Sequence, residues 1–456
     1  MQLKETTNRV REFLQLAIPL VMAQLAQSMT GFIDSIMMGR LGAETLAAGG
    51  LASWSFIAIL NTAAGVVTGN SPLVAEAYGA GKKSKIESFT RQGFWLVLLL
   101  SIPVTIVVAN LDSLMLRWGQ SEETVALASS YLDTIVWGFL PALGFAMVRG
   151  VLSGMSITRP IMIIVTVGTL FNICGNYILG FGKLGFPRLE LTGLAIASTL
   201  SLWGMFIASI ICLLRHPHLR QYSFFTRLYR LQPNVLRELS KTGIPIGIFM
   251  ALELGLFTVV AYLMGTLGTQ TLAAHQVVFQ TIMVTFMIPL GMSFATTAIV
   301  GQWLGRENLR EIKRAGSIAI TIGFMVMSMV AVVMLLFPRI IIGLYLNLEN
   351  PANAEIISLA LPILRIAAVS QILDGVQKIV YGALLGIQDT QIPVILNVAA
   401  FWGVGLTLGY ILGFSADLGG VGLWLGQSLG VATAAVFFLI RFWFLLTSSH
   451  LLLKMK

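Results

Sequence analysis

Three carboxylates stand in this chain where a helix would carry them deep among apolar side chains. Asp34 lies between Phe32, Ile33, Ile36 and Met37 with Ser35 as its only polar neighbour, Glu253 is centred in FMALELGLF, and Asp374 precedes Lys378 by four residues. A charge at the centre of a lipid-crossing helix costs about 2.5 to 3.5 kcal/mol, so each must face a protein interior or a water-filled cavity. Asn172 and Asn176, at i and i+4, share one helix face, and Ser198 and Thr199 add hydroxyls in the next apolar run. A carboxylate among amide and hydroxyl oxygens suits a hard monovalent cation. The same atoms could serve a protonated Asp34, or simply satisfy a buried acid.

Glu253 invites the same two readings, as a coupling-ion carboxylate or as a counter-charge for a cationic substrate. Asp374 and Lys378 could pair along their own helix. Alternatively, Asp374 faces a cavity while Lys378 snorkels toward water. His275 in AAHQ is a candidate proton carrier or a neutral hydrogen-bonding group. With Gln276, Gln280 and Gln27 it supplies candidate polar lining for a substrate cavity. Any Na⁺ is expected at Asp34 or at Glu253 and Asp374, with no other metal and no cofactor.

The elements that must position these residues follow from composition. Asp, Glu, Lys and Arg make up 11% of the 456 residues and apolar types 56%, against about 25% charged in a soluble domain. An all-α polytopic membrane protein results. Most apolar runs are long enough to cross about 30 Å of hydrocarbon as helices, which a barrel's shorter alternating strands would not be. Twelve are expected, at 14–38, 46–70, 92–110, 126–150, 160–181, 192–214, 241–264, 272–298, 316–337, 357–383, 393–414 and 421–446. Cys174 and Cys212 both lie in apolar runs, which excludes a disulfide framework. No nucleophile, metal-protease or phosphate-loop motif occurs, so neither an enzyme nor an ATP-driven pump is expected. The net charge of +9 is scattered over short loops rather than gathered on a nucleic-acid face.

One side of the expected topology carries 22 basic residues and the other only Arg40, Arg117, Lys183, Arg188 and Arg339. Both termini are therefore expected in the cytoplasm, with the first run retained as a helix. Arg365 and Lys378 are the two cations read as lying deep in the runs. At an offset of 226 residues, REF..AIP from Arg11 to Pro19 meets REL..GIP from Arg237 to Pro245, and Gly65 meets Gly291. YILGF recurs at Tyr177 and Tyr410. Two pseudo-symmetric six-helix lobes follow, residues 1–226 and 227–456, as in many secondary transporters.

IPLVMAQLAQ...DSIMMGRLG, GTLGTQTLAAHQV, ILDGVQ...GALLGIQDTQIP and NYILGFGKLGFPRLELTGLAIAS resemble the multidrug and toxic compound extrusion (MATE) family, over nearly the whole chain. The resemblance is to its bacterial sodium-driven, norfloxacin-exporting branch. It implies export of cationic amphipathic compounds in exchange for Na⁺ or H⁺, from the inner membrane of a prokaryote, by a chain acting as a monomer. The family's helix-1 aspartate is matched by Asp34, its polar cluster by Asn172, Asn176 and Ser198 or Thr199, and its later acids by Glu253 and Asp374. The position four before the last aspartate, aromatic in some members, is Ser370 here. The alternative is a flippase for a lipid-linked precursor, which shares the superfamily fold.

Overall fold

The computed structural model describes residues 2–108, 110–117 and 119–447. Among the described residues twelve helices are long and apolar enough to span a bilayer: α1 (Thr6–Leu41), α2 (Glu44–Gly79), α3 (Lys83–Val108), α4 (Glu122–Gly154), α5 (Arg159–Gly180), α6 (Glu190–Arg215), α7 (Pro233–Thr266), α8 (Thr269–Gly305), α9 (Leu309–Leu336), α10 (Pro351–Gly386), α11 (Gln391–Ser415) and α12 (Gly419–Thr447). All twelve expected spans are present, and no strand occurs among the described residues.

The helices overrun the apolar windows. α8 continues to Gly305 and passes through Pro289, while α1 passes through Pro19 and α7 through Pro245. Hydropathy marks only the part that lipid must cover, whereas backbone hydrogen bonding continues into polar turns. At the start of α9 the Asn308 side chain caps the helix, accepting from the Glu311 N–H at 3.2 Å.

The chain forms two compact units, Met22–Met250 and Met1–Val21 with Ala251–Lys456. The sequence repeat reappears in local geometry. Gly42 and Gly268 both precede a helix at positive φ, 151° and 128°, which a side chain would disfavour. Each glycine carbonyl then accepts from the N–H four residues on, Leu46 and Leu272, at 3.0 Å, opening the next helix. A Cβ on Gly65 of α2 would lie 2.9 Å from Gly247 Cα on α7, and one on its repeat mate Gly291 would lie 2.6 Å from Val21 Cα on α1. Residues 21 and 247 are themselves 226 apart, so the same close approach is built twice. The YILGF copies both place a Tyr ring near a Phe ring four residues on, at 6.2 Å and 4.8 Å between centroids.

The hairpins that follow differ between the copies. In α11 and α12, backbone meets backbone: a Cβ on Gly430 would sit 2.8 Å from Gly405 Cα, and Gly422 and Gly426 face the Leu412 and Gly409 main chain. In α5 and α6 the glycines mostly meet side chains, Gly168 against Met205 and Gly180 against Leu194, with Gly193 on the Leu179 carbonyl as the exception. Large apolar side chains such as Ile102, Ile106, Met329 and Ile440 point outward. On a bilayer-spanning bundle this is the lipid-facing surface, which accounts for the excess of apolar residues over what a core requires.

Candidate functional site

In the unit Met22–Met250, α1 presents Gln24, Gln27, Thr30 and Asp34 at helical spacings that keep them on one side. α5 answers with Thr169, Asn172 and Asn176. The Thr30 and Thr169 hydroxyls are 3.0 Å apart, and Thr169 also donates to the Ala26 carbonyl at 3.2 Å. Two turns further along α5, Asn176 Nδ2 donates to Asp34 Oδ1 at 2.5 Å and to Asn172 Oδ1 at 3.1 Å. Asn172 Nδ2 in turn donates to Ser198 Oγ on α6 at 2.9 Å. The result is a continuous chain, Asp34–Asn176–Asn172–Ser198, with both asparagines buried. Asn176 Oδ1 is enclosed with no protein partner, so an acceptor oxygen is left over beside the carboxylate.

Ser198 and Thr199 are separated by this geometry. The Thr199 hydroxyl instead donates to the Thr134 carbonyl of α4 at 3.2 Å. Gln27 does not join the chain either: its Oε1 lies 3.5 Å from Arg149 Nη1, which is 3.1 Å from Gln24 Oε1. Arg149 corrects the sequence reading of the deep cations, which named only Arg365 and Lys378. It stands within α4, where the end of an apolar run made it resemble a loop charge, while Arg365 is exposed. The glutamines at 24 and 27, polar positions a turn apart on an apolar helix, were the signal for it.

In the other unit, Glu253 of α7 meets Lys378 of α10. Lys378 Nζ donates to both carboxylate oxygens, at 2.7 and 2.8 Å, with the lysine 1% and the glutamate 8% exposed. The ammonium is 4.9 Å from the Phe286 ring centroid and 5.9 Å from that of Tyr381, within cation–π range. Asp374 lies one turn earlier on the same face of α10. Lys378 therefore does not snorkel to water. Its stem is fully enclosed, and a carboxylate from another helix satisfies its charge.

His275 is 2% exposed, and its Nδ1 accepts from the Trp424 indole N–H at 3.2 Å while Phe279 stacks on it. An acceptor Nδ1 fixes the neutral tautomer with the proton on Nε2. Gln276 and Gln280 are exposed and lie apart from this packed face. Among the described residues no three His, Cys, Asp or Glu side chains converge to hold a metal.

The class these elements define is a polytopic helical transporter built on an internal repeat. The MatE family model matches residues 19–178 and 245–411, and the chain belongs to the MatE family. Probable multidrug resistance protein NorM of Synechocystis sp. is 49% identical over 432 residues, covering 95% of this chain and 94% of the relative. Its namesake from Synechococcus sp. is 50% identical over 442 residues, covering 97% and 95%. A crystal structure of a eukaryotic MATE transporter superposes with a TM-score of 0.86 at 19% identity, covering 96% of each chain, and so shares the fold. An outward-facing multidrug resistance MATE family transporter superposes with a TM-score of 0.85 at 23% identity, also over 96% of each. The protein is a membrane transporter, not an enzyme.

Proposed function

We propose that this MatE-family transporter exports small cationic amphipathic compounds by alternating access, in exchange for Na⁺ or H⁺ bound at Asp34. The observation that carries the reading is the hydrogen-bonded chain from Asp34 through Asn176 and Asn172 to Ser198. It supplies one negative charge and several neutral oxygens in a lipid-crossing region. A bound cation cancels the charge of Asp34 and with it the attraction for a cationic compound. The two ligands therefore compete, and exchange follows if each favours a different state. The multidrug resistance names of its relatives support the compound class.

Both termini lie in the cytoplasm in this reading, in accord with the excess of basic residues on that side, and one chain is the working unit. The two halves, residues 1–226 and 227–456, act as the repeat-related lobes. The test is efflux of a fluorescent organic cation from proteoliposomes, with Na⁺ and pH gradients imposed separately. Uphill movement under one gradient that is lost in Asp34→Asn is the expected result. Movement under neither gradient, or full gradient-driven efflux by Asp34→Asn, overturns the reading.

A further inference from the structure

The acidic site of the second unit already holds a cation, and that cation is part of the chain. Nζ of Lys378 sits 2.7 and 2.8 Å from the two oxygens of Glu253. That is the place from which any monovalent cation would bridge the carboxylate. The charged groups facing it are Glu253 from α7 and Asp374 from α10, with the Phe286 and Tyr381 rings adding aromatic faces. With Lys378 present the cluster carries two carboxyl groups against one ammonium. Without it, the two carboxyl groups would face each other with no cation from the chain between them.

We propose that Lys378 is the specificity-determining residue of this site: a tethered ammonium that occupies the cation position at Glu253 and excludes inorganic cations from the second unit. Three features of the geometry make the tether effective. Both Glu253 oxygens are engaged by one nitrogen, so the bridging position between them is taken. The lysine is enclosed, so its ammonium cannot leave for water without losing the carboxylate. Its effective concentration at Glu253 is that of a covalently attached ligand, far above that of Na⁺ in solution. The first unit contrasts with this. Asp34 accepts from the neutral Asn176 amide and carries no built-in cation in its hydrogen-bonded chain, so exchangeable ions are left to Asp34 alone. That consequence rests on the coupling role proposed for Asp34, whereas the occupancy of the Glu253 site does not.

The experiment is equilibrium binding of ²²Na⁺ to the purified full-length protein, with Asp34→Asn as the background so that the first unit is silent. Asp34→Asn alone is expected to show no saturable binding. Adding Lys378→Met, which keeps the stem length, is expected to create saturable binding, tighter by at least about tenfold than any residual uptake, because the like charge at the ion is removed and the Glu253 carboxylate it neutralised is freed. Adding Glu253→Gln to that pair is expected to abolish it. Saturable binding by Asp34→Asn that Glu253→Gln removes overturns the proposal, as does a folded Asp34→Asn, Lys378→Met protein that gains none. The Asp34→Asn measurement keeps the ion pair intact and decides the matter even if Lys378→Met fails to fold. Transport is not read in any arm, so failure of gradient-driven efflux and failure of this proposal are separate results.

Discussion

Glu253→Gln isolates what the ion pair contributes to the fold. The substitution keeps size and one acceptor oxygen but leaves the Lys378 ammonium, 1% exposed, facing a neutral amide. Removing one partner of a buried pair costs about 3 to 5 kcal/mol, and the lower end is expected here because Asp374 still offers the ammonium a second carboxyl group. At roughly 2 to 4 °C per kcal/mol for a unit of this size, the apparent Tm in detergent should fall on the order of 10 °C. Replacing both partners, in Glu253→Gln with Lys378→Met, removes the stranded charge, and much of the loss should return. The assay is thermal unfolding of wild type, both single variants and the double variant, closed as a double-mutant cycle. A coupling of about 2 kcal/mol or more is expected from a pair this enclosed. Single variants as stable as wild type, with additive effects in the double, would refute the assignment of Lys378 to Glu253.

Asn176→Ala removes the donor to Asp34 and the link to Asn172, and should lower the initial rate of gradient-driven efflux by about tenfold, the worth of roughly one charge-assisted hydrogen bond. Thr199→Ala, outside the chain, should stay within about twofold of wild type in the same assay. Gly65→Leu and Gly291→Leu should each reduce the yield of monodisperse protein in fluorescence-detected size exclusion, since both drive a side chain into backbone at a cost of about 1 to 3 kcal/mol or more. Gly204→Leu, with nothing within 4 Å of its Cβ position, should leave that yield unchanged. Trp424→Phe strands His275 Nδ1 in a dry pocket and should destabilise by about 1 to 3 kcal/mol in thermal unfolding.

The twelve spans were legible because lipid imposes a composition that sequence cannot hide, and their ends were not, because helices continue past the lipid. The link of Asp34 to the asparagines was legible from residue type and the i, i+4 spacing on α5. The choice of Ser198 over Thr199 was not. Adjacent helical residues point about 100° apart, and only the rotation of α6 decides which hydroxyl reaches Asn172. Lys378 shows the limit most clearly. Local spacing offered Asp374, four residues away, whereas the lysine donates to Glu253, 125 residues distant in sequence. That pairing is a property of how α7 and α10 pack, which no local pattern encodes. Arg149 was missed because a basic residue at the end of an apolar run has the look of a loop charge whether or not it is enclosed.

The two hairpins that close the repeat differ in what separates their helices. Where α11 and α12 touch, main chain lies on main chain, so no rotamer can change to let one helix slide along the other. α5 and α6 are separated largely by methionine and leucine side chains, which can repack as the helices shift by fractions of an ångström. The compliant hairpin is also the one that bears Asn172, Asn176 and Ser198. In the proposed exchange, a change of charge at Asp34 therefore acts on the hairpin packed mostly through side chains, and its main-chain-packed twin bears none of these groups.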